Sequence, residues 1–176
     1  DGWTLSAGVM AQRNSATSRR FGFYPGVDVS FRPGGGWRLF ASWNRSMRLP
    51  SFTDLWYKSP TQQGNVGLRP EKCSAFRLGT AWGTTGVQME AQVHYERCTD
   101  MIDWVMYAAD DIYHATAFEA DRVGASLTAR LDFDALWQTR TPLRQLRIDY
   151  AWLCQHRLAG EAYYKSNYAQ EYLRHK

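Results

Sequence analysis

Alternation of apolar and polar residues limits the fold of this chain more than any other feature. A period of two is typical of β-strands, because successive side chains point to opposite faces of a sheet. The alternation recurs in seven segments, and a weaker eighth is expected from Tyr168 to the end. We therefore predict an all-β antiparallel sheet of about eight strands. The seven clear segments are 3–11, 27–31, 37–43, 76–82, 87–95, 123–131 and 146–152.

The connections between these segments alternate in length. PGGG and GTTG are tight turns. The connection 132–145 lies at the same end of the strands as these turns, but it is longer than they are. Short turns at one end and long loops at the other are typical of up-and-down transmembrane β-barrels. The sequence thus predicts about eight strands of such a barrel. The longer connections lie near 12–23, 46–72, 98–114 and 156–167.

The turn GTTG also predicts which residues lie opposite each other. If Thr84 and Thr85 form a two-residue turn, the apolar residues of both strands fall on one face of the sheet. The predicted apolar pairs are Trp82 with Val87, Thr80 with Met89, and Phe76 with Val93. Two diagonal charge pairs are expected as structural contacts, namely Arg77 with Glu90 and Asp28 with Arg38.

Aromatic residues make up 15% of the chain and cluster at the two ends of the apolar rows. Trp and Tyr settle at the headgroup level of a membrane, so two such belts indicate a lipid-facing surface. A soluble sandwich would also alternate, but charged residues follow the whole length of the opposite face. One belt holds Trp3, Phe31, Trp37 and Trp82, and the other holds Trp43, Tyr95 and Trp152.

Charge and motif content exclude several function classes. The 21 basic and 17 acidic residues are dispersed, which does not indicate nucleic-acid binding. The spacing of Cys73, Cys98 and Cys154 predicts neither a disulfide framework nor a zinc site, and we interpret all three as small, weakly apolar side chains. No hydrolase elbow or metal motif occurs, so we expect no enzyme, catalytic residue, metal or cofactor.

The stretch SMRLPSFTDLWYKSPTQQGNVGLRPEK resembles a signature of TonB-dependent outer-membrane receptors. In these transporters an Arg-x-Pro-Ser/Thr element leads to Leu-Tyr and then to Gly-Asn-Pro-x-Leu-x-Pro-Glu. Val66 departs from the pattern, since the family often has Pro there. LWYKSP and YLRHK further resemble the cobalamin receptors of Bacteroidetes-type bacteria. The matching residues are Arg48, Pro50, Ser51, Phe52, Leu55, Trp56 or Tyr57, Gly64, Asn65, Leu68, Pro70, Glu71 and Lys72.

This resemblance implies a location in the outer membrane and active import of a scarce nutrient, most simply cobalamin or a ferric siderophore, with a glycan as a further option. Residues 1–176 would be part of a 22-stranded barrel, without its plug domain and C-terminal strands. The implied partners are the nutrient, the TonB energy-transducing complex acting through the plug, and outer-membrane lipid and lipopolysaccharide.

Four loop residues are the candidates for ligand contact: Arg48, Trp56, Tyr57 and Lys58. They combine flat apolar surfaces with positive charge on a loop, where binding residues concentrate. The alternative is that the aromatics anchor the loop at the membrane rim and the cations meet lipopolysaccharide phosphates. A different class of function also stays open, namely a soluble all-β module that binds a glycan or a peptide.

Overall fold

A computed structural model describes residues 2–14, 18–109, 111–140, 142–159, 162–167 and 174–176. Long antiparallel strands dominate this part of the chain, and the two short helices lie in connections. The elements in chain order are β1 (Gly2–Asn14), β2 (Ser18–Gly34), β3 (Trp37–Arg48), α1 (Phe52–Trp56), β4 (Gln62–Gln63), β5 (Glu71–Thr84), β6 (Val87–Met106), β7 (Tyr113–Asp132), α2 (Phe133–Trp137), β8 (Gln145–Ala159) and β9 (Lys165–Ser166).

Seven long strands lie side by side in the order β1-β2-β3-β5-β6-β7-β8, and each neighbouring pair is antiparallel. This confirms the predicted fold class. Within the described residues the sheet is open, because β1 and β8 do not pair with each other. Residues 174–176 pair with β8 along its free edge through hydrogen bonds at Ala151 and Leu153. The rest of the predicted last strand, 168–173, lies outside the described residues.

The two faces of the sheet differ as the alternation predicts. The apolar rows define an apolar face, whose side chains are widely exposed; Leu5, for example, is 71% exposed. The opposite, polar face carries paired charges, although not the predicted pairs. Arg38 binds Glu90 at 3.4 Å, because both lie beside Ala81 of the intervening strand. Both diagonal pairs were therefore wrong: Arg77 lies opposite His94, and Asp28 lies opposite Ser42.

The turn between β5 and β6 uses Thr85 and Gly86, one residue later than predicted. Gly86 has a φ of 83°, a conformation that glycine adopts without steric cost. The pairing is therefore shifted by two residues, so that Trp82 lies opposite Met89 instead of Val87. An even shift leaves every side chain on its predicted face.

The corrected register places Cys73 directly opposite Cys98, and the two form a disulfide. The prediction that no cysteine is bridged was wrong for this pair. Their separation of 25 residues has no pattern in the sequence, and only the pairing of the strands brings the two sulfur atoms together. Cys154 is free and exposed.

Strands β6 and β7 are 20 residues long and continue well beyond the usual membrane span of about 9–11 residues. The predicted long connection 98–114 is therefore mostly strand. The described residues of the predicted connection 12–23 also belong to strands, namely β1 and β2. We call residues 99–120 of this pair the extension. A bulge in β6 between Cys98 and Met101, with Asp100 at a φ of 55°, marks its base.

The buried core of the described chain lies on the extension. The bulge adds one residue to β6 and none to β7, so Ala115 and Ala117 of β7 stay on the apolar face. Their partners on β6, Trp104 and Ile102, therefore also lie on the apolar face. Residues 49–70, which connect β3 to β5, cover this face. On the polar face, Ser166 donates a hydrogen bond to Asp103. No helix in the described residues is long and apolar enough to cross a membrane.

Candidate ligand-binding loop

Residues 49–70, which we call the motif loop, cross the apolar face of the extension. Leu68 is buried there with Trp104, Ile102 and Ala115, and Leu55 packs against the same group. At its far end β4 joins the edge of β7 in parallel, and the Tyr113 amide donates to the Thr61 carbonyl at 2.9 Å. The loop is therefore a packed part of the structure with its own apolar contacts.

Helix α1 begins in this loop because Ser51 and Asp54 form a capping box. The Asp54 amide donates to the Ser51 hydroxyl at 3.1 Å, and the Ser51 amide donates to the Asp54 carboxylate at 2.9 Å. This arrangement satisfies backbone donors that the first turn of a helix leaves unpaired. Pro50 precedes the cap, where the chain is still extended.

The carboxylate of Asp54 is buried beneath the loop. The Oδ1 atom of this carboxylate accepts the indole N–H of Trp104 at 3.2 Å. The Oδ2 atom, which accepts the Ser51 amide, lies 3.9 Å from the Arg48 guanidinium. Burial is the largest single influence and raises the pKa of Asp54. The hydrogen bonds from Ser51 and Trp104, together with the Arg48 charge, outweigh it and hold this pKa below its ordinary value. Asp54 is therefore a charged anchor between the loop and the extension.

Arg48 and Glu71 close the base of the motif loop. They lie opposite each other on β3 and β5, and the guanidinium donates two hydrogen bonds to the carboxylate at 2.7 and 2.6 Å. The hydrogen bond to Glu71 is the main reason that the pKa of Arg48 is raised. Glu71 also accepts the Ile102 amide at 2.7 Å, which ties the base of the loop to the extension.

The second half of the motif folds back on α1. The Gly64 amide donates to the Tyr57 carbonyl at 2.6 Å, and the Asn65 amide donates to the Asp54 carbonyl at 2.8 Å. A Cβ atom at Gly64 would lie 3.0 Å from the backbone of α1, so any larger residue would crowd this close approach. The Asn65 side chain accepts the Gly67 amide at 2.8 Å, which forms the turn where Val66 replaces the family proline.

The predicted ligand contacts separate into two groups. Trp56 is 62% exposed, and Tyr57 and Lys58 are also exposed on the same loop. Arg48 instead directs its guanidinium to Glu71 and Asp54. Sequence reasoning missed Asp54, which the Ser-x-x-Asp spacing of a capping box could have revealed, and did not count exposed Phe52 as a contact.

Two further features of the described residues bear on the site. They contain no group of three or more potential metal ligands. A groove of about 510 Å³ lies on the apolar face between Trp43, Phe76, Leu78 and Val93, away from the motif loop. The motif loop thus presents exposed side chains on a buried polar framework.

An open antiparallel sheet with an exposed apolar face, a charged opposite face and a packed loop at one end is the wall of a membrane β-barrel. The family described as "TonB dependent receptor-like, beta-barrel" matches residues 1–173. The chain therefore belongs to this family, and its location is the outer membrane.

Two solved structures show the same fold. The copper transporter OprC superposes with a TM-score of 0.60 and 16% identity, over 77% of this chain and 21% of that one. The siderophore receptor PirA from Pseudomonas aeruginosa gives a TM-score of 0.67 and 17% identity, over 88% and 29%. The chain thus spans less than a third of either protein. No curated protein sequence matches it.

Proposed function

We propose that this chain forms barrel wall and an external loop of a receptor that imports a scarce nutrient across the outer membrane. The observation that carries this proposal is the motif loop, which presents exposed aromatic and cationic side chains from a hydrogen-bonded, packed base in a chain of this family. Residues 1–176 would be one part of the barrel, with the plug and the remaining strands supplied by the rest of the protein. The TonB complex would act through that plug.

The proposed ligand contacts are Trp56, Tyr57 and Lys58, with Phe52 added because it is even more exposed. Aromatic rings and a cation suit a large, partly anionic ligand such as cobalamin or a ferric siderophore. The similarity of the fold to PirA, a siderophore receptor, supports the second. Arg48, which is paired with Glu71, would act mainly by holding the loop in place.

The alternative of a soluble binding module for a glycan or a peptide is not favoured. The long apolar rows stay exposed in the folded chain, and an exposed apolar surface of this extent needs a lipid or protein cover. We therefore also propose lipid and lipopolysaccharide as the surroundings of the barrel, and no enzymatic activity.

Ligand binding by the full-length receptor in detergent tests this proposal. Titration with a panel of cobamides and ferric siderophores should identify one ligand, and Trp56→Ala should weaken its binding by about ten-fold or more, as expected for an aromatic contact worth 1.4 kcal/mol or more. TonB-dependent uptake of the same ligand by cells should fall in parallel.

Trp137→Ala is the matched control. Trp137 ends the five-residue helix α2 as Trp56 ends α1, and it is 63% exposed, but it lies at the opposite end of the sheet. The control should bind normally. Equal loss in both variants, or unchanged affinity in Trp56→Ala, would contradict the proposed contact, and lack of uptake of any nutrient by cells would contradict the import function.

A further inference from the structure

A second connection lies against the extension, on the face opposite the motif loop. Residues 162–167, which we call the inner segment, come after β8 and reach the edge of β6 beyond β5, where β9 pairs with β6. The segment lies on the polar face, since the guanidinium of Arg157 is 4.4 Å from the Tyr163 ring and 5.5 Å from the Phe118 ring. The polar face lines the interior of a barrel. The extension is thus held between the motif loop outside and the inner segment inside.

Main-chain hydrogen bonds fix the inner segment to β6. The Tyr164 amide donates to the Met106 carbonyl at 2.8 Å, and the Asn167 amide donates to the Trp104 carbonyl at 3.0 Å. Ser166 lies between these two bonds and is buried. The inner segment is therefore packed against the extension, as the motif loop is on the other face.

Asp103 and Trp104 are consecutive residues of β6 that bind different connections. Their side chains point to opposite faces, because side chains alternate along a strand. On the polar face, Asp103 accepts the hydroxyl of Ser166. On the apolar face, the indole N–H of Trp104 donates to Asp54 of the motif loop at 3.2 Å. Both residues are buried, so these two bonds are shielded from water.

The two contacts are also joined to each other within the strand. The Oδ1 atom of Asp103 accepts the Trp104 amide at 2.7 Å, while its Oδ2 atom accepts Ser166. The Trp104 carbonyl accepts the Asn167 amide. A movement of Trp104 that breaks its bond to Asp54 therefore also disturbs the bonds to the inner segment. Buried polar groups that share one network in this way are energetically coupled.

We infer that Asp103 and Trp104 relay changes in the motif loop to the inner segment. Whatever orders the motif loop on the outer side of the wall then also orders the side that faces the barrel interior, and the reverse holds by the same factor. A nutrient held by the motif loop would in this way be registered at the interior. Only this last step rests on the proposed function, since the two connections are coupled without a ligand. Trp104 acts here as a positioning residue.

Hydrogen exchange of the full-length receptor in detergent, without ligand, tests the relay. Asp54→Asn should raise the exchange of the inner segment about five-fold, within the usual range for groups in one network, although Asp54 lies on the other face. Ser166→Ala should raise the exchange of residues 51–57 by the same factor, because coupling is reciprocal. Trp104→Phe keeps an aromatic ring but removes the indole N–H. In this background Ser166→Ala should no longer affect residues 51–57.

Asn65→Ala is the control within the same loop. It removes the acceptor of the Gly67 amide, at 2.8 Å, and leaves the bond from Trp104 to Asp54 in place. Exchange should rise at Gly67 and stay unchanged in the inner segment.

Three results would overturn the relay: an unchanged inner segment in Asp54→Asn, an equal rise there in Asn65→Ala, or a rise in Asp54→Asn that extends to helix α2 at the other end of the sheet. The last would show general loosening instead of a local path. None of these results depends on a nutrient, so they leave the proposed function standing. Failure of the receptor to bind any nutrient would in turn leave the relay standing.

Discussion

Asp54 is the residue on which the polar contacts of the motif loop converge. Its carboxylate accepts hydrogen bonds from Ser51 and Trp104 and lies near Arg48, so one side chain joins helix α1 to the extension. A buried carboxylate with these donors stabilises the loop only while it is charged. Several residues of the motif therefore hold the loop in place through these hydrogen bonds.

Asp54→Asn should therefore loosen the motif loop while the barrel stays folded. We expect a loss of about 1.5–3 kcal/mol in local stability, the usual range for hydrogen bonds to a charged group. Hydrogen exchange of residues 51–68 in the full-length receptor measures it. Asp132→Asn is the control, because Asp132 caps α2 and asparagine caps helices equally well. Unchanged protection in Asp54→Asn would contradict the anchoring role.

The loop should also be sensitive to acid. Because the pKa of Asp54 is lowered in the folded state, its contribution is complete above the ordinary carboxyl pKa of about 3.9. The contribution is lost as the pH falls through the lower folded value. Exchange protection of the loop should therefore fall below about pH 4 in the parent, while Asp54→Asn should lack this step. A step of the same size in both would assign it to another group.

The motif loop as an element depends on the close contact between Gly64 and α1. A Cβ atom there would meet the Asp54 carbonyl and the Leu55 backbone at 3.0 Å. Gly64→Ala should therefore displace the second half of the loop and cost about 1–3 kcal/mol, as overpacking does in general. Limited proteolysis of the full-length receptor between residues 58 and 70 should become faster.

Gly83→Ala provides the comparison, because a Cβ atom at this position would have its nearest neighbour at 3.8 Å. This variant should be cleaved no faster than the parent. Equal cleavage of the Gly64 and Gly83 variants would show that the close approach at Gly64 does not stabilise the loop.

The hairpin of β5 and β6 is a second element with a testable feature, its disulfide. Cys98 is fully buried where the hairpin passes into the extension. Closing a segment of 25 residues stabilises a fold by about 3.5 kcal/mol in the chain-entropy account. Cys73→Ser/Cys98→Ser and reduction of the parent should lower the thermal midpoint of the full-length receptor equally. Cys154→Ser should leave the midpoint unchanged, and a midpoint insensitive to both treatments would contradict a stabilising bridge.

At the scale of the whole molecule, the sheet formed by the described residues has two edges and does not close. β1 has neighbours on one side only, and residues 174–176 cover only part of the free edge of β8. Open edges and an exposed apolar face favour association with other chains. The 176-residue chain refolded alone in detergent should therefore form oligomers, as measured by light scattering after size-exclusion chromatography. The comparison is the proposed full-length receptor, in which further strands would close the barrel. A uniform monomer of the short chain would contradict this expectation.

The sequence by itself determined the all-β class, the assignment of residues to the two faces and the family resemblance. All three depend on local order along the chain: a period of two fixes the face of each side chain, and the motif residues are close in sequence. None of them changes when two strands slide by an even number of residues.

The tertiary structure decided what depends on contacts between distant segments. The one-residue move of the turn to Thr85 and Gly86 shifted the pairing by two, which brought Cys73 to Cys98. Neither the pairing of Arg38 with Glu90 nor the burial of Asp54 against Trp104 could be predicted from spacing. The physical reason is that alternation determines the direction of a side chain, whereas turn geometry and packing determine its partner.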